Sequence, residues 1–296
     1  MTDAVTKSRR RISRRTWLLG AGGVLASPFV AAAWGYDPDW LVVRRHTVAV
    51  PGLKRPIKAA QVSDLHADRR GSCSPLLRDR VAEAVRLESP DLVLATGDYI
   101  TRPGDSIEDA ASWVASLEAR EGVYAVMGNH DSRSVKVALE ARGVMVLGNT
   151  WTRVHGMVIA GVGDLTRWPH EPQAVLRSIP PGSGTILLAH QPDSFWTYDK
   201  PVTLQLSGHT HGGQATLFGT IPAPRIIPFL KPWLMRVPAL EPLARRSFLE
   251  TRHGAWAGFF DRPDGSRLYV NCGLGRFKRL SIYCPPELTV WEFTPA

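Results

Sequence analysis

From residue 34 onward, short apolar runs alternate with stretches of helical spacing. Residues 58–63 read as a buried strand, and Ser74-Pro75 opens a helix, with Ser as N-cap and Pro at the first helical position. Leu77, Val81, Ala84 and Val85 carry that helix forward at helical spacing. Residues 91–96 form the next strand. Ser106-Ile-Glu-Asp109 caps a helix running toward Arg120, 123–127 is strand, and 134–142 is helix stopped by Gly143. Further strands are expected at 144–147, 157–162, 185–189 and 202–207. The end of the chain reads as antiparallel: strand 257–261, a Pro263-Asp264-Gly265 turn, strand 268–271, then strand 288–293. Alternating β and α with a β-rich tail predicts the α/β class, as sheets flanked by helices. No internal repeat is visible, and no linker is long enough to divide 34–296.

Composition narrows the class without changing it. The 296 residues are 44% hydrophobic and 21% charged, which excludes wholesale disorder, a collagenous repeat and a multi-span membrane protein. Cys73, Cys272 and Cys284 are too few and too scattered for a disulfide framework or a thiolate metal site. The formal charge of +9 invites a nucleic-acid partner, but its distribution argues otherwise. Residues 1–33 hold +5 of it and residues 225–252 hold +4, so the rest of the chain is balanced. A mature chain without a long basic run does not favour nucleic acid.

The first 33 residues have the three parts of an export signal: a basic cluster, a mildly apolar stretch, and Ala31-Ala32-Ala33 as a cleavage site. Ser13-Arg14-Arg15-Thr16-Trp17-Leu18-Leu19 resembles the twin-arginine signal. An uncleaved anchor is the weaker reading, because spanning takes about 20 predominantly apolar residues and Pro28 breaks the run. The resemblance implies the twin-arginine export machinery as a partner, and a location in the periplasm or at the outer face of the cytoplasmic membrane. Residues 225–252, proline-broken and apolar with interspersed bases and Trp233, read as a loop insertion. That loop is either a lid or a contact with an anionic membrane surface.

The polar chemistry gathers just after the apolar strands. Asp64-Leu-His66, Gly97-Asp98, Gly128-Asn-His-Asp131, Ala189-His190 and Gly208-His-Thr-His-Gly-Gly213 contain five of the nine histidines. In an open α/β sheet, segments beyond the carboxyl ends of strands converge on one ligand site. Carboxylate, imidazole and amide without thiolate suit a hard to borderline divalent ion, Mn²⁺, Fe or Zn²⁺. Seven candidate ligands exceed one four-coordinate site and point to two ions. Any one motif is ordinary strand-end polarity; five in order are a site.

As a set these motifs resemble the calcineurin-like metallophosphoesterase superfamily, over roughly residues 57–293. Asp64-Leu-His66, Gly208 through Gln214 and Cys284-Pro-Pro-Glu-Leu288 are similar to its exported or membrane-attached bacterial branch. The resemblance implies a four-layer α/β/β/α sandwich with a dinuclear centre at the sheet edges. One ion would be held by Asp64, His66, Asp98 and His211, and the other by Asp98, Asn129, His190 and His209, with Asp98 bridging. His130 would stabilise the transition state or protonate the leaving oxygen, and Asp131 would orient His130. The implied activity is hydrolysis of a phosphate ester, foremost a phosphodiester, by a hydroxide bridging the ions; if the 225–252 loop touches membrane, the expected substrate is a phospholipid or lipid head group. A UDP-acylglucosamine-type pyrophosphohydrolase is the alternative enzyme, and a non-catalytic interaction module the alternative of another class. One departure is Cys272, where relatives often carry Arg; Arg276, Lys278 or Arg279 could substitute, and a small buried role suits Cys272 itself.

Overall fold

The computed structural model describes residues 37, 39–68, 71–213, 216–217, 221–222, 236, 251–275 and 284–296. The leader at 1–33, nearly all of the 225–252 insertion, and Arg276, Lys278 and Arg279 lie outside the described residues. The chain divides into Met1–Asp37 and Pro38–Ala296, and every element below belongs to the second unit.

Two six-stranded mixed sheets form the centre. The first contains β1 (Val42–Val50), β2 (Ile57–Val62), β3 (Leu92–Ala95), β4 (Val123–Ala125), β5 (Met145–Val146) and the last strand, β14 (Glu287–Pro295). Its order is β1-β14-β2-β3-β4-β5. The second contains β6 (Thr150–Val154), β7 (Met157–Gly161), β8 (Thr185–Leu188), β9 (Leu204–Ser207), β12 (Gly258–Asp261) and β13 (Arg267–Val270). Its order is β12-β13-β9-β8-β7-β6. A two-stranded ribbon, β10 (Thr216–Leu217) with β11 (Ile221–Pro222), stands apart.

Side-chain alternation explains the layers. Along β2 and β3, Ile57, Ala59, Leu92 and Leu94 enter the core between the sheets, against Met157, Ile159, Ile186, Leu188, Leu204 and Leu206. The alternate residues Ala60, Val62, Val93 and Ala95 face outward, onto helices α1 (Pro75–Glu88), α2 (Ile107–Ala115) and α3 (Arg133–Glu140). Helix α4 (Pro172–Ser178) covers the far face of the second sheet through Val175 and Leu176. Both faces of the central strands are therefore buried, which is why they read as unbroken apolar runs. The result is an α/β/β/α sandwich. The Ser74 hydroxyl accepts the Leu77 N–H at 3.0 Å, and Ser106 accepts that of Asp109 at 3.2 Å, so both expected N-caps are formed. The second helix ends at Ala115, short of Arg120.

The tail differs from the antiparallel reading. β12 and β13 are the expected hairpin, but β13 lies parallel to β9. β14 leaves that hairpin for the first sheet, parallel to β1 over nine register pairs and antiparallel to β2. No helix among the described residues is long and apolar enough to cross a membrane.

Candidate metal centre

Strands β2, β3, β4, β8 and β9 each end in one of the polar motifs, and the fold brings all five together. Asp64 and His66 follow β2, Asp98 follows β3, Asn129 and His130 follow β4, His190 follows β8, and His209 and His211 follow β9. Five of these residues have left-handed backbones: Asp64 (φ 52°), His66 (46°), Asp98 (57°), His209 (70°) and His211 (49°). This conformation is uncommon and costs roughly 1–2 kcal/mol for a non-glycine residue, and such strain gathers where a side chain must be aimed. Close packing fixes the turns as well. A Cβ on Gly128 would lie 2.1 Å from Asp98 Oδ1, so only glycine lets the Asn129 turn approach Asp98.

Two clusters result. In the first, Asp64, His66 and His211 converge, with His66 Nε2 3.1 Å from His211 Nε2 and His211 Nε2 3.5 Å from Asp64 Oδ1. In the second, His190 Nε2 is 3.2 Å from Asp98 Oδ2 and 3.1 Å from Asn129 Oδ1, and His209 Nδ1 is 2.9 Å from the same Asn129 oxygen. Asp98 lies between them, its Oδ2 also 3.6 Å from His66 Nε2.

Donor chemistry makes these clusters fit cations. His190 Nδ1 donates to the Thr96 carbonyl at 2.7 Å, and His211 Nδ1 donates to the Gly275 carbonyl at 2.9 Å. A carbonyl only accepts, so in the neutral ring each Nε2 carries a lone pair facing other acceptors. Acceptors facing acceptors in a buried site call for a cation or an extra proton. The pKa values follow. Burial works against charge on His190, but the Asp98 carboxylate outweighs it and raises His190 well above the ordinary imidazole range. Burial would raise Asp98, yet His190 and His66 hold it far below the usual carboxylate range. Burial, opposed by Asp98, takes His66 down to about 4, and burial with the neighbouring His190 takes His209 to about 4. His66 and His209 are thus neutral beside an ionised Asp98, the protonation states that metal binding needs, whereas an ion would have to displace the proton that Asp98 holds on His190.

Asp131 has a different role from the one expected. Its Oδ2 accepts the N–H groups of Asp98 (2.9 Å) and Gly128 (2.8 Å), and its Oδ1 accepts that of Tyr99 (2.8 Å). The carboxylate therefore ties the Asp98 turn to the Gly128 turn and does not orient His130. The His130 ring is aimed instead by the Thr101 carbonyl, 2.8 Å from Nδ1, and the His130 backbone N–H donates to Asp98 Oδ1 at 2.9 Å. Asp64 is anchored likewise, by the Ser63 hydroxyl (2.6 Å) and the His209 N–H (2.9 Å). The carbonyls of Thr96, Thr101 and Gly275 escape sequence reading, because a backbone acceptor has no residue signature. Cys272 and Cys284 lie behind Gly212 and form no disulfide among the described residues. A hydrogen bond with Cys284, together with burial, pushes the Cys272 thiol well up, consistent with a packing role.

The family model for calcineurin-like phosphoesterases matches residues 57–213, the span that carries all of these candidate ligands. The chain belongs to the calcineurin-like phosphoesterase family. Members of this family are metal-dependent hydrolases of phosphate esters, and the sandwich described above is the metallophosphoesterase fold. The chain is 29% identical to the metallophosphoesterase YkuE of Bacillus subtilis, over 95% of this chain and 98% of that one. It is 30% identical to the phosphodiesterase YaeI of Escherichia coli, over 95% and 99%. It is also 26% identical to the UDP-2,3-diacylglucosamine pyrophosphatase LpxG of Chlamydia muridarum, over 90% and 94%.

Proposed function

We propose that this metallophosphoesterase is a phosphodiesterase that works with two divalent ions, Mn²⁺, Fe or Zn²⁺. The observation that carries the reading is the pair of clusters meeting at Asp98. Asp64, His66, Asp98 and His211 would hold one ion, and Asp98, Asn129, His190 and His209 the other. Bound there, the ions supply Lewis acidity toward the phosphoryl oxygens and an acidified water. The chain's own groups do the rest. Asp98, ionised far below neutral pH, keeps a fixed negative charge between the clusters. His130, with Nδ1 held by the Thr101 carbonyl, is left with Nε2 to stabilise the transition state or, when that nitrogen carries a proton, to give it to the leaving oxygen. Asp131 fixes the two turns, so that little reorganisation is needed as charge develops.

Export through the twin-arginine route, a location in the periplasm or at the membrane face, and contact of residues 225–252 with anionic lipid belong to the same proposal. They are supported by the basic leader and the +4 loop. A phosphate ester of a lipid or its head group is the substrate this arrangement favours. Pyrophosphate cleavage in a nucleotide-linked acyl sugar is the second reading, favoured by the likeness to LpxG along most of both chains.

The test is a substrate panel with Mn²⁺: phosphomonoester, phosphodiester, phospholipid and nucleotide-sugar, each with chelator and Asp98→Asn controls. Phosphodiester turnover lost in both controls is expected. Turnover that survives them would sink the dinuclear assignment, and cleavage confined to the nucleotide-sugar would favour the second reading.

A further inference from the structure

A cavity of about 420 Å³ lies next to the turn that carries Asn129, walled by Met127 and by Trp168, which hydrogen-bonds Gly128. We propose that it receives one organic group of the phosphoester substrate: a bulky apolar group, aromatic or branched, that carries a negative charge of its own. This inference rests on the phosphodiesterase reading and narrows it to a substrate class.

Position is the first argument. Met127, at the end of β4, lines the cavity two residues before Asn129. Trp168 lines it from the opposite sheet, and its indole N–H donates to the Gly128 carbonyl at 3.1 Å. The turn that carries Asn129 of the second cluster is thus bonded to one cavity wall, Trp168, and follows another, Met127. No cluster residue lines the cavity, so the group it receives would reach past the Gly128-Asn129 turn from a phosphorus at the clusters.

Lining chemistry is the second. Met127, Val146, Leu147 and Trp168 make the walls apolar, and the volume falls within the roughly 300–1,000 Å³ of small-molecule sites. Arg133 and Lys136, on the first turns of α3, supply the only charges in the lining among the described residues. Lys136 is already paired with Glu140, whereas Arg133 makes no ion pair among the described residues. An apolar chamber with an uncompensated guanidinium at its edge selects an apolar group bearing a carboxylate or a second phosphate, and disfavours a cationic head group.

The structure also offers a way to close the cavity. A Cβ placed on Gly148, which lines it, meets nothing within 4 Å, so a side chain starts there without a clash and Gly148→Trp is the first plug. Val137, 59% exposed on α3 and also in the lining, gives a second plug as Val137→Trp.

The probes are methylphosphonate, phenylphosphonate and (4-carboxyphenyl)phosphonate, titrated by calorimetry into the full Mn²⁺-loaded chain and run as competitive inhibitors of bis(4-nitrophenyl) phosphate hydrolysis. In wild type the affinity rises in that order. Gly148→Trp or Val137→Trp lowers the phenyl-to-methyl affinity ratio by about tenfold and leaves methylphosphonate unchanged. Arg133→Gln removes only the gain from the carboxylate, again about tenfold, and that loss shrinks as salt is raised. Unchanged ratios in both plug variants, or a wild type that binds phenyl no better than methyl, overturn the inference while the phosphodiesterase reading stands. A wild type that hydrolyses no phosphodiester overturns that reading and this inference with it.

Discussion

The role of Asp131 can be separated from that of its neighbour His130 by a single amide substitution. In Asp131→Asn the side chain keeps one oxygen and turns an NH2 group toward N–H donors that previously met a carboxylate. The wild-type carboxylate accepts from Asp98, Gly128 and Tyr99 at 2.8–2.9 Å. At least one charge-assisted bond is lost, worth about 1.5–3 kcal/mol, and one buried N–H is left without an acceptor, a further ~1–3 kcal/mol. Part of this is recovered. Burial and the neighbouring Asp98 charge push Asp131 up to about 7, so removing its charge relieves that repulsion. A net loss of about 2–4 kcal/mol follows, which for a domain of roughly this size lowers Tm by about 5–10 °C. The assay is circular-dichroism melting of the chelator-treated chain, with His130→Ala melted beside it. Because Asp131 does not hold the His130 ring, His130→Ala should melt within about 2 °C of wild type on the same scale. An Asp131→Asn melt equally close to wild type, or equal destabilisation by the two substitutions, would refute this account of the turn.

His130→Ala should lower turnover by about 10²–10⁴ with metal content unchanged by elemental analysis; a parallel loss of metal would make His130 a ligand instead. His46 lies among Phe259, Tyr269 and Trp291, with its Nε2 buried and without a hydrogen-bond partner. Burial lowers its pKa, so below about pH 6.5 the unfolded chain takes up the proton first and stability falls with pH. His46→Phe should flatten part of that fall in chelator-treated protein, and parallel stability–pH curves would count against it. Gly212 has φ 60°, and a Cβ there would lie 2.2 Å from Cys284 Sγ. Gly212→Ala should therefore cost about 2–4 kcal/mol, with partial rescue by Cys284→Ala in a double-mutant cycle; strict additivity would remove the clash as the cause.

The sequence was most legible where the chain is buried on both faces. β2, β3 and β8 fall within a residue or two of expectation because their apolar runs meet a core on each side. β1 is invisible by the same logic: Arg44 and Arg45 interrupt its pattern, and its partner β14 lies more than two hundred residues away. That remote pairing is also why the last strand reads as part of the hairpin. The candidate ligands stand out because each motif follows a strand end. The second tier of the site stayed hidden, since Thr96, Thr101 and Gly275 act through backbone carbonyls. Asp131 misleads because an acid next to a histidine suggests a pair, whereas the turn aims the carboxylate back at amides.

The division of the ligands between the sheets has a kinetic consequence. Asp64, Asp98 and Asn129 extend from the first sheet, and His190, His209 and His211 from the second, so each cluster draws on both. Asp64 and His211 are separated by well over a hundred residues, and contacts of that range are the slow ones to form. An ion held as proposed would find its full set of donors only after the two sheets have docked. The compartment in which docking finishes would then set the ion, because the pool of free metal there is the one that the completed site first meets.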